Sequence, residues 1–128
     1  MKYLFDTNIM LYHLAGNSSV QYLFTDTFTN QNTVYTSRIV RIELLSFSRL
    51  SRTQEESIEN LLSKFILLPV TAEIEEATIY FRRRYKFKLP DAIIIASAFY
   101  TSSTLVTNNT KDFKNISEIK IESPIRGK

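Results

Sequence analysis

Residues 91–100 read DAIIIASAFY, with the only charge at the first position. A helix over this segment is apolar on nearly all sides, so it has no face to give to water and belongs inside the fold. Pro90, just ahead of it, suits the first turn of that helix. Around this segment the chain offers short β-prone runs separated by helical stretches. Lys2–Phe5, Thr33–Thr36, part of Phe65–Val70, Thr104–Thr107 and Ile119–Glu122 read as strands. Between them, helices are predicted from Asn8 to about Ala15, from Val20 to Phe28, and from a Ser37 cap to about Leu50. A further helix opens on a Thr53/Glu56 capping box, and another runs from a Thr71 cap to about Tyr85. Gly16-Asn17 closes the first helix. Strands alternating with helices imply a parallel sheet covered on both faces, an α/β sandwich in one domain spanning 1–128.

Composition narrows the chemistry. There are no cysteines and a single histidine, His13, which excludes disulfides and thiolate sites and nearly excludes zinc. A metal in this chain must be held by oxygen, which points to Mg²⁺ or Mn²⁺. The only glycines, Gly16 and Gly127, leave no Gly-rich phosphate loop. The start MKYLFDTNIML has an aspartate where a signal peptide needs an unbroken apolar core, and no run approaches membrane-spanning length, so a cytoplasmic protein is expected. The net charge of +3 permits a polyanionic partner without requiring one.

Three acids stand where apolar residues are expected. Asp6 ends an apolar strand, at the sheet edge where open α/β folds place their crevice. Taken alone, capping of the next helix, which Asp-Thr-Asn does well, is the commoner role for such an acid. Glu43 has Ile39, Val40 and Phe47 as helical neighbours, and a carboxylate on such a face needs a partner, an arginine or a cation. Asp91 opens the apolar helix, where the dipole alone would favour it. A last polar cluster, Thr107-Asn108-Asn109-Thr110-Lys111-Asp112, follows the TLVT strand and has a bland reading as a turn. Each is excusable singly, yet a parallel sheet can bring Asp6, Glu43 and Asp91 together. Converging carboxylates repel unless a cation neutralises them. A divalent ion on oxygen ligands would do so and would support phosphodiester chemistry.

The ordered set FDTNIMLYHL, RIELL, KLPDAIIIASAF and LVTNNTKDF resembles the PIN-domain family, specifically its VapC-type toxin ribonucleases. The four pieces span Phe5 to Phe113. The resemblance implies an α/β/α sandwich with a central parallel sheet and a metal-dependent endoribonuclease acting on tRNA, rRNA or mRNA. By motif, Asp6, Glu43 and Asp91 match the three core acids. Asp6 and Asp91 are expected as Mg²⁺ or Mn²⁺ ligands, and Asn109 takes the fourth catalytic position. Here the sequence departs from a four-acid pattern, with the next acid at Asp112. Thr107 matches the polar threonine, and Asn8 is placed to orient Asp6 or a bound water. The family implies a homodimer and a small VapB-like antitoxin whose tail lies in the acidic groove. Alternatives of the same resemblance are a housekeeping nuclease of RNA maturation and a degenerate module that binds RNA or protein.

Other features are more ambiguous. Arg82, Arg83 and Arg84, followed by Lys86 and Lys88, could contact RNA phosphates or simply suit a helix end. Tyr80, Phe81, Tyr85 and Phe87 could stack bases but fit burial better. His13 is expected to serve packing or surface rather than chemistry.

Overall fold

The computed structural model describes residues 1–125; residues 126–128, part of the expected domain and including Gly127, lie outside them. The strands are β1 (Lys2–Phe5), β2 (Thr33–Ser37), β3 (Ile66–Leu68), β4 (Thr104–Val106) and β5 (Ile121–Glu122). The helices are α1 (Thr7–Leu14), α2 (Asp26–Gln31), α3 (Arg38–Leu45), α4 (Arg52–Leu62), α5 (Ala72–Arg84) and α6 (Leu89–Thr101). All strand pairings are parallel, in the order β3-β2-β1-β4-β5. The chain therefore starts in the middle of the sheet, builds outward to β3, then returns to lay β4 against the free side of β1. Right-handed crossovers carry the connecting helices to opposite faces on the two sides of such a reversal. The reversal point lies between β1 and β4, and crevices form there beyond the carboxyl ends of the strands.

The apolar helix behaves as its composition demands. Every residue of α6 from Ala92 to Ala98 is buried. It packs against β1, β4 and α5, and the one hydroxyl among those residues, on Ser97, donates back to the Ile93 carbonyl at 2.7 Å. Leu4, Phe5, Leu105 and Val106 at the sheet centre are almost fully excluded from solvent, as are Ile9 and Met10 of α1. Phe5 meets Phe24 and Phe65 with ring centroids at 5.4 and 5.5 Å, an aromatic cluster against the central strand. His13 joins this cluster by stacking on Phe24 at 3.9 Å, which is the packing role expected for it. Gly16, with φ +80°, ends the first helix as its position suggests.

Four boundaries differ from the sequence expectation. The segment 20–28 is no single helix: Gln21–Phe24 forms a 3-10 turn, and Thr25 then caps α2 by accepting the Phe28 N–H at 3.2 Å. Neighbouring Leu23 and Phe24 are both buried, and a tight turn followed by a fresh cap lets both reach the core. Helix α3 stops at Leu45 rather than near Leu50; Ser46 turns its hydroxyl back onto the Ile42 carbonyl, and Phe47 lies beyond the helix. The capping box of α4 uses Ser51 and Gln54, not Thr53 and Glu56; Glu56 instead faces Arg52 at 3.4 Å. Of Ile119–Glu122 only Ile121–Glu122 pairs with the sheet, as a short edge strand.

At the amino-terminal edge of the sheet, Glu118 lines a groove with Lys2 and Thr104. It accepts from Tyr80 and Tyr85 hydroxyls, both at 2.7 Å, and faces Arg84 at 3.3 Å. Among the described residues no helix is long and apolar enough to cross a membrane.

Candidate active site

The reversal point positions the first acid. Asp6 is the residue directly after β1, and its N–H still reaches the Val106 carbonyl of β4 at 3.4 Å. Extended backbone there (φ −88°, ψ 178°) lets the same residue cap α1, with Oδ1 accepting the Ile9 N–H at 3.0 Å. Oδ2 accepts from the hydroxyl of Thr107, which follows β4 and is fully buried. Capping and a place in the crevice are thus compatible, because the strand end and the helix start are the same residue. Asp6 is only 6% exposed. Burial pushes its carboxyl up to about 6, and the charge of Asp91 adds to that. Hydrogen bonds from Thr107 and the Ile9 and Asn8 N–H groups oppose it.

Glu43 projects from α3 and is half-buried. Its partner is no arginine: the Thr7 hydroxyl donates to Oε1 at 2.6 Å, while Arg41 on the same helix pairs with Glu59 at 2.8 Å. Asp91 sits in the first turn of α6, where exposed backbone N–H groups favour an anion. Burial first, then the charges of Asp112 and Glu43, hold it above the ordinary aspartate range, with Lys88 working against them. Asn109 follows β4, its N–H donating to Thr107 Oγ1 at 3.0 Å and its amide to Asp112 at 3.0 Å.

These residues line one cleft of about 480 Å³ beyond the carboxyl ends of β1 and β4. Asp6, Asn8, Glu43, Asp91 and Asn109 are in its wall, with Leu11, Phe47, Ile94 and Phe113 as the apolar part. Thr107 lies behind Asp6, buried rather than lining. Asp112 is exposed and stands next to Asn109 outside the lining. None of Arg82, Arg83 and Arg84 reaches the cleft; Arg83 and Arg84 lie beside Glu76, Ile79 and Tyr80. Two contributors escape sequence reasoning. Thr7, in the middle of Asp-Thr-Asn, orients Glu43 across 36 positions, and only its adjacency to a strand-ending acid could mark it. Phe47, expected on the helix beside Glu43, instead leaves the helix and forms cleft wall.

The donor set fits a hard cation. The lining holds the carboxylates of Asp6, Glu43 and Asp91 and neither lysine nor arginine. Among the described residues no three acids or histidines form a tight ligand cage. Mg²⁺ does not need one, since it keeps several waters and binds through one or two carboxylates.

Residues 3–119 match the PIN domain. The chain belongs to the PIN-domain family. Within it, this PIN domain belongs among the VapC ribonucleases. It is 31% identical to ribonuclease VapC of Rickettsia bellii, over 94% of this chain and 95% of that one. It is 28% identical to ribonuclease VapC2 of Rickettsia felis, over 96% and 98%. Among solved structures, a toxin–antitoxin complex from Klebsiella pneumoniae superposes with a TM-score of 0.79 at 32% identity, covering 96% of this chain and 98% of that chain. VapBC2 from Rickettsia felis, bound to a DNA fragment from its promoter, gives 0.84 at 26% identity, with 96% and 98% covered. The five-stranded parallel sheet flanked by helices is the PIN architecture that the sequence pattern implied.

Proposed function

We propose that this PIN domain is the toxin of a type II toxin–antitoxin pair, a Mg²⁺- or Mn²⁺-dependent endoribonuclease that hydrolyses RNA phosphodiester bonds. The observation that carries the reading is the gathering of Asp6, Glu43 and Asp91, from three separate elements, in one cleft without a lysine or arginine in its wall. The Klebsiella toxin–antitoxin complex and the VapC ribonucleases of Rickettsia support it by likeness.

In this reading Asp6 and Asp91 hold the ion, and Glu43 and Asn109 complete the catalytic set. A bound divalent ion would supply water activation near neutral pH and neutralisation of charge on the phosphoryl oxygens. The protein's own part is positioning. Thr107 and the Ile9 N–H fix both oxygens of Asp6, leaving the remaining lone pairs for the cleft. Thr7 holds Glu43 from the α1 side. Asn8 lines the cleft beside Asp6 and is placed to orient a water. Asp112 steadies Asn109 by accepting its amide. Leu11, Phe47, Ile94 and Phe113 supply the apolar part of the wall. No nucleophilic side chain is required.

The same reading includes a VapB-like antitoxin as partner, a cytoplasmic location and a homodimer. Exposed Ile79, Tyr80, Phe99 and Tyr100 on α5 and α6 support the last. RNA cleavage by the purified protein tests the proposal: activity in Mg²⁺ or Mn²⁺ should vanish with chelator and return with added metal. Cleavage that persists in excess chelator would contradict it.

A further inference from the structure

Asp91 lines a second concavity, of about 380 Å³, whose charge is opposite in sign to that of the acidic cleft. Lys86, Lys88, Lys111 and Lys114 line it against the carboxylates of Asp91 and Asp112. All four lysines are exposed, and among the described residues none forms an ion pair.

Their placement follows from the local sequence. The α5–α6 connection is extended at both ends, with φ/ψ of −126°/153° at Tyr85 and −66°/155° at Lys88. Side chains alternate in such backbone, so Lys86 and Lys88 turn outward while Phe87 between them turns in. After β4 the backbone is a run of turns rather than an extended strand, and it leaves Lys111 and Lys114 exposed on either side of Phe113, which is 2% exposed. Phe87 and Phe113 pack with ring centroids 5.8 Å apart, so the two loops are tied together through their aromatic anchors. Asp91 lines both the basic groove and the acidic cleft, and the aromatic pair links them, with Phe113 in the cleft wall and Phe87 in the groove.

We propose that the lysine groove formed by the α5–α6 loop and the segment after β4 carries the phosphate backbone of a single RNA strand alongside the cleft. The inference rests on the ribonuclease reading and deepens it. An acidic cleft repels a polyanion, and a cationic track sharing its wall offsets that repulsion while fixing the strand's path. Lysines are point charges on flexible stems, suited to phosphates and indifferent to base identity. Arg82, Arg83 and Arg84, the denser basic run in sequence, lie off this path, and Arg84 is occupied by Glu118.

The test is fluorescence anisotropy of a labelled 12-nucleotide single-stranded RNA, in chelator so that no cleavage occurs, over a range of KCl concentrations. For the full chain carrying K86Q, K88Q, K111Q and K114Q, affinity should fall about tenfold or more. The slope of log K against log salt should become shallower by about 2 to 3, at roughly 0.7 for each phosphate no longer neutralised. The pairs K86Q/K88Q and K111Q/K114Q should each give about half of that change, and R82Q/R83Q should leave the slope unchanged. Melting temperatures should stay parental, because all the replaced side chains are exposed. A quadruple variant with the parental slope would overturn the inference, as would a parent without RNA affinity. Loss of binding to a polyglutamate peptide with RNA binding intact would assign the groove to an acidic protein segment and overturn it too. Metal-dependent cleavage by the parent, measured separately, decides the ribonuclease reading whichever way the groove falls.

Discussion

The two edges of the sheet treat a carboxylate in opposite ways. At the amino-terminal edge Glu118 meets Arg84, Tyr80 and Tyr85. Burial works to raise it, but the two hydroxyls and the guanidinium outweigh that and hold it below the ordinary glutamate range. At the carboxyl-terminal edge Asp6 loses its water and receives only neutral donors, with Asp91 adding repulsion. Glu118 is finished by the protein; Asp6 waits for charge from outside. An acid compensated within the fold is a fastening. An acid left uncompensated inside a cleft is suited to an added cation, which is the role proposed for Asp6.

Exchanging each acid for its amide separates the two roles. Asp6→Asn keeps size, the Ile9 cap and a polar contact to Thr107. RNA cleavage in Mg²⁺ should fall by about 100-fold or more if Asp6 holds the ion as proposed, because the residue no longer carries charge. Without metal the variant should melt at or above the parental temperature. A variant that keeps near-parental cleavage would break the distinction.

The edges also differ in the sign of their pH dependence. The Asp6 carboxyl rises from 3.8 to about 6 in the fold, so the folded state holds its proton more tightly than the unfolded chain. Its contribution to stability is fully present below about pH 4 and lost as pH rises through about 6, a change of about 3 kcal/mol. Glu118, held low, contributes above its ordinary value and loses that contribution as pH falls. Metal-free denaturant titrations of the parent and of Asp6→Asn should agree near pH 4 and diverge by pH 7, with Asn the more stable. Saturating Mg²⁺ should close the gap. Curves that stay parallel across this range would remove Asp6 from the uncompensated class.

The smallest effect belongs to the amino edge. Glu118→Gln gives up a pairing with Arg84, whose side chain is 55% exposed, while keeping hydrogen-bonding capacity toward Tyr80 and Tyr85, so chemical unfolding should show about 1 kcal/mol or less. Cleavage should remain at the parental rate. A large loss of activity would mean that the two edges are coupled.

The carboxyl-edge half of this division is legible in the sequence, for identifiable reasons, whereas nothing local marks Glu118. The all-apolar stretch 92–98 allows only burial, and Asp6 after Leu4-Phe5 announces an acid at a strand end; both follow from local pattern. The four motif segments carry the family and with it the order of the elements. What is not legible depends on choices between near-equivalent local signals. Ser51/Gln54 and Thr53/Glu56 are both capping boxes by sequence, both compatible with burying Ile58, Leu61 and Leu62, and the fold uses the first. The break at Thr25 arises because His13, Phe5 and Phe65 all claim Phe24. Thr7 holding Glu43, and Phe113 joining cleft to groove, are contacts across long separations that no local window contains.

The uncompensated edge is tested most directly by titrating Mn²⁺ calorimetrically into the parent and into Asp91→Asn, with metal-free melts of both. Asp91 is the acid that both Glu43 and Asp112 repel, so removing its charge relieves the metal-free fold while weakening the grip on an ion. The parent should bind Mn²⁺, and the variant should bind it about tenfold or more weakly while melting no lower than the parent. Equal Mn²⁺ affinity in the two proteins, or a parent that binds no Mn²⁺, would contradict the assignment of the cleft as a cation site.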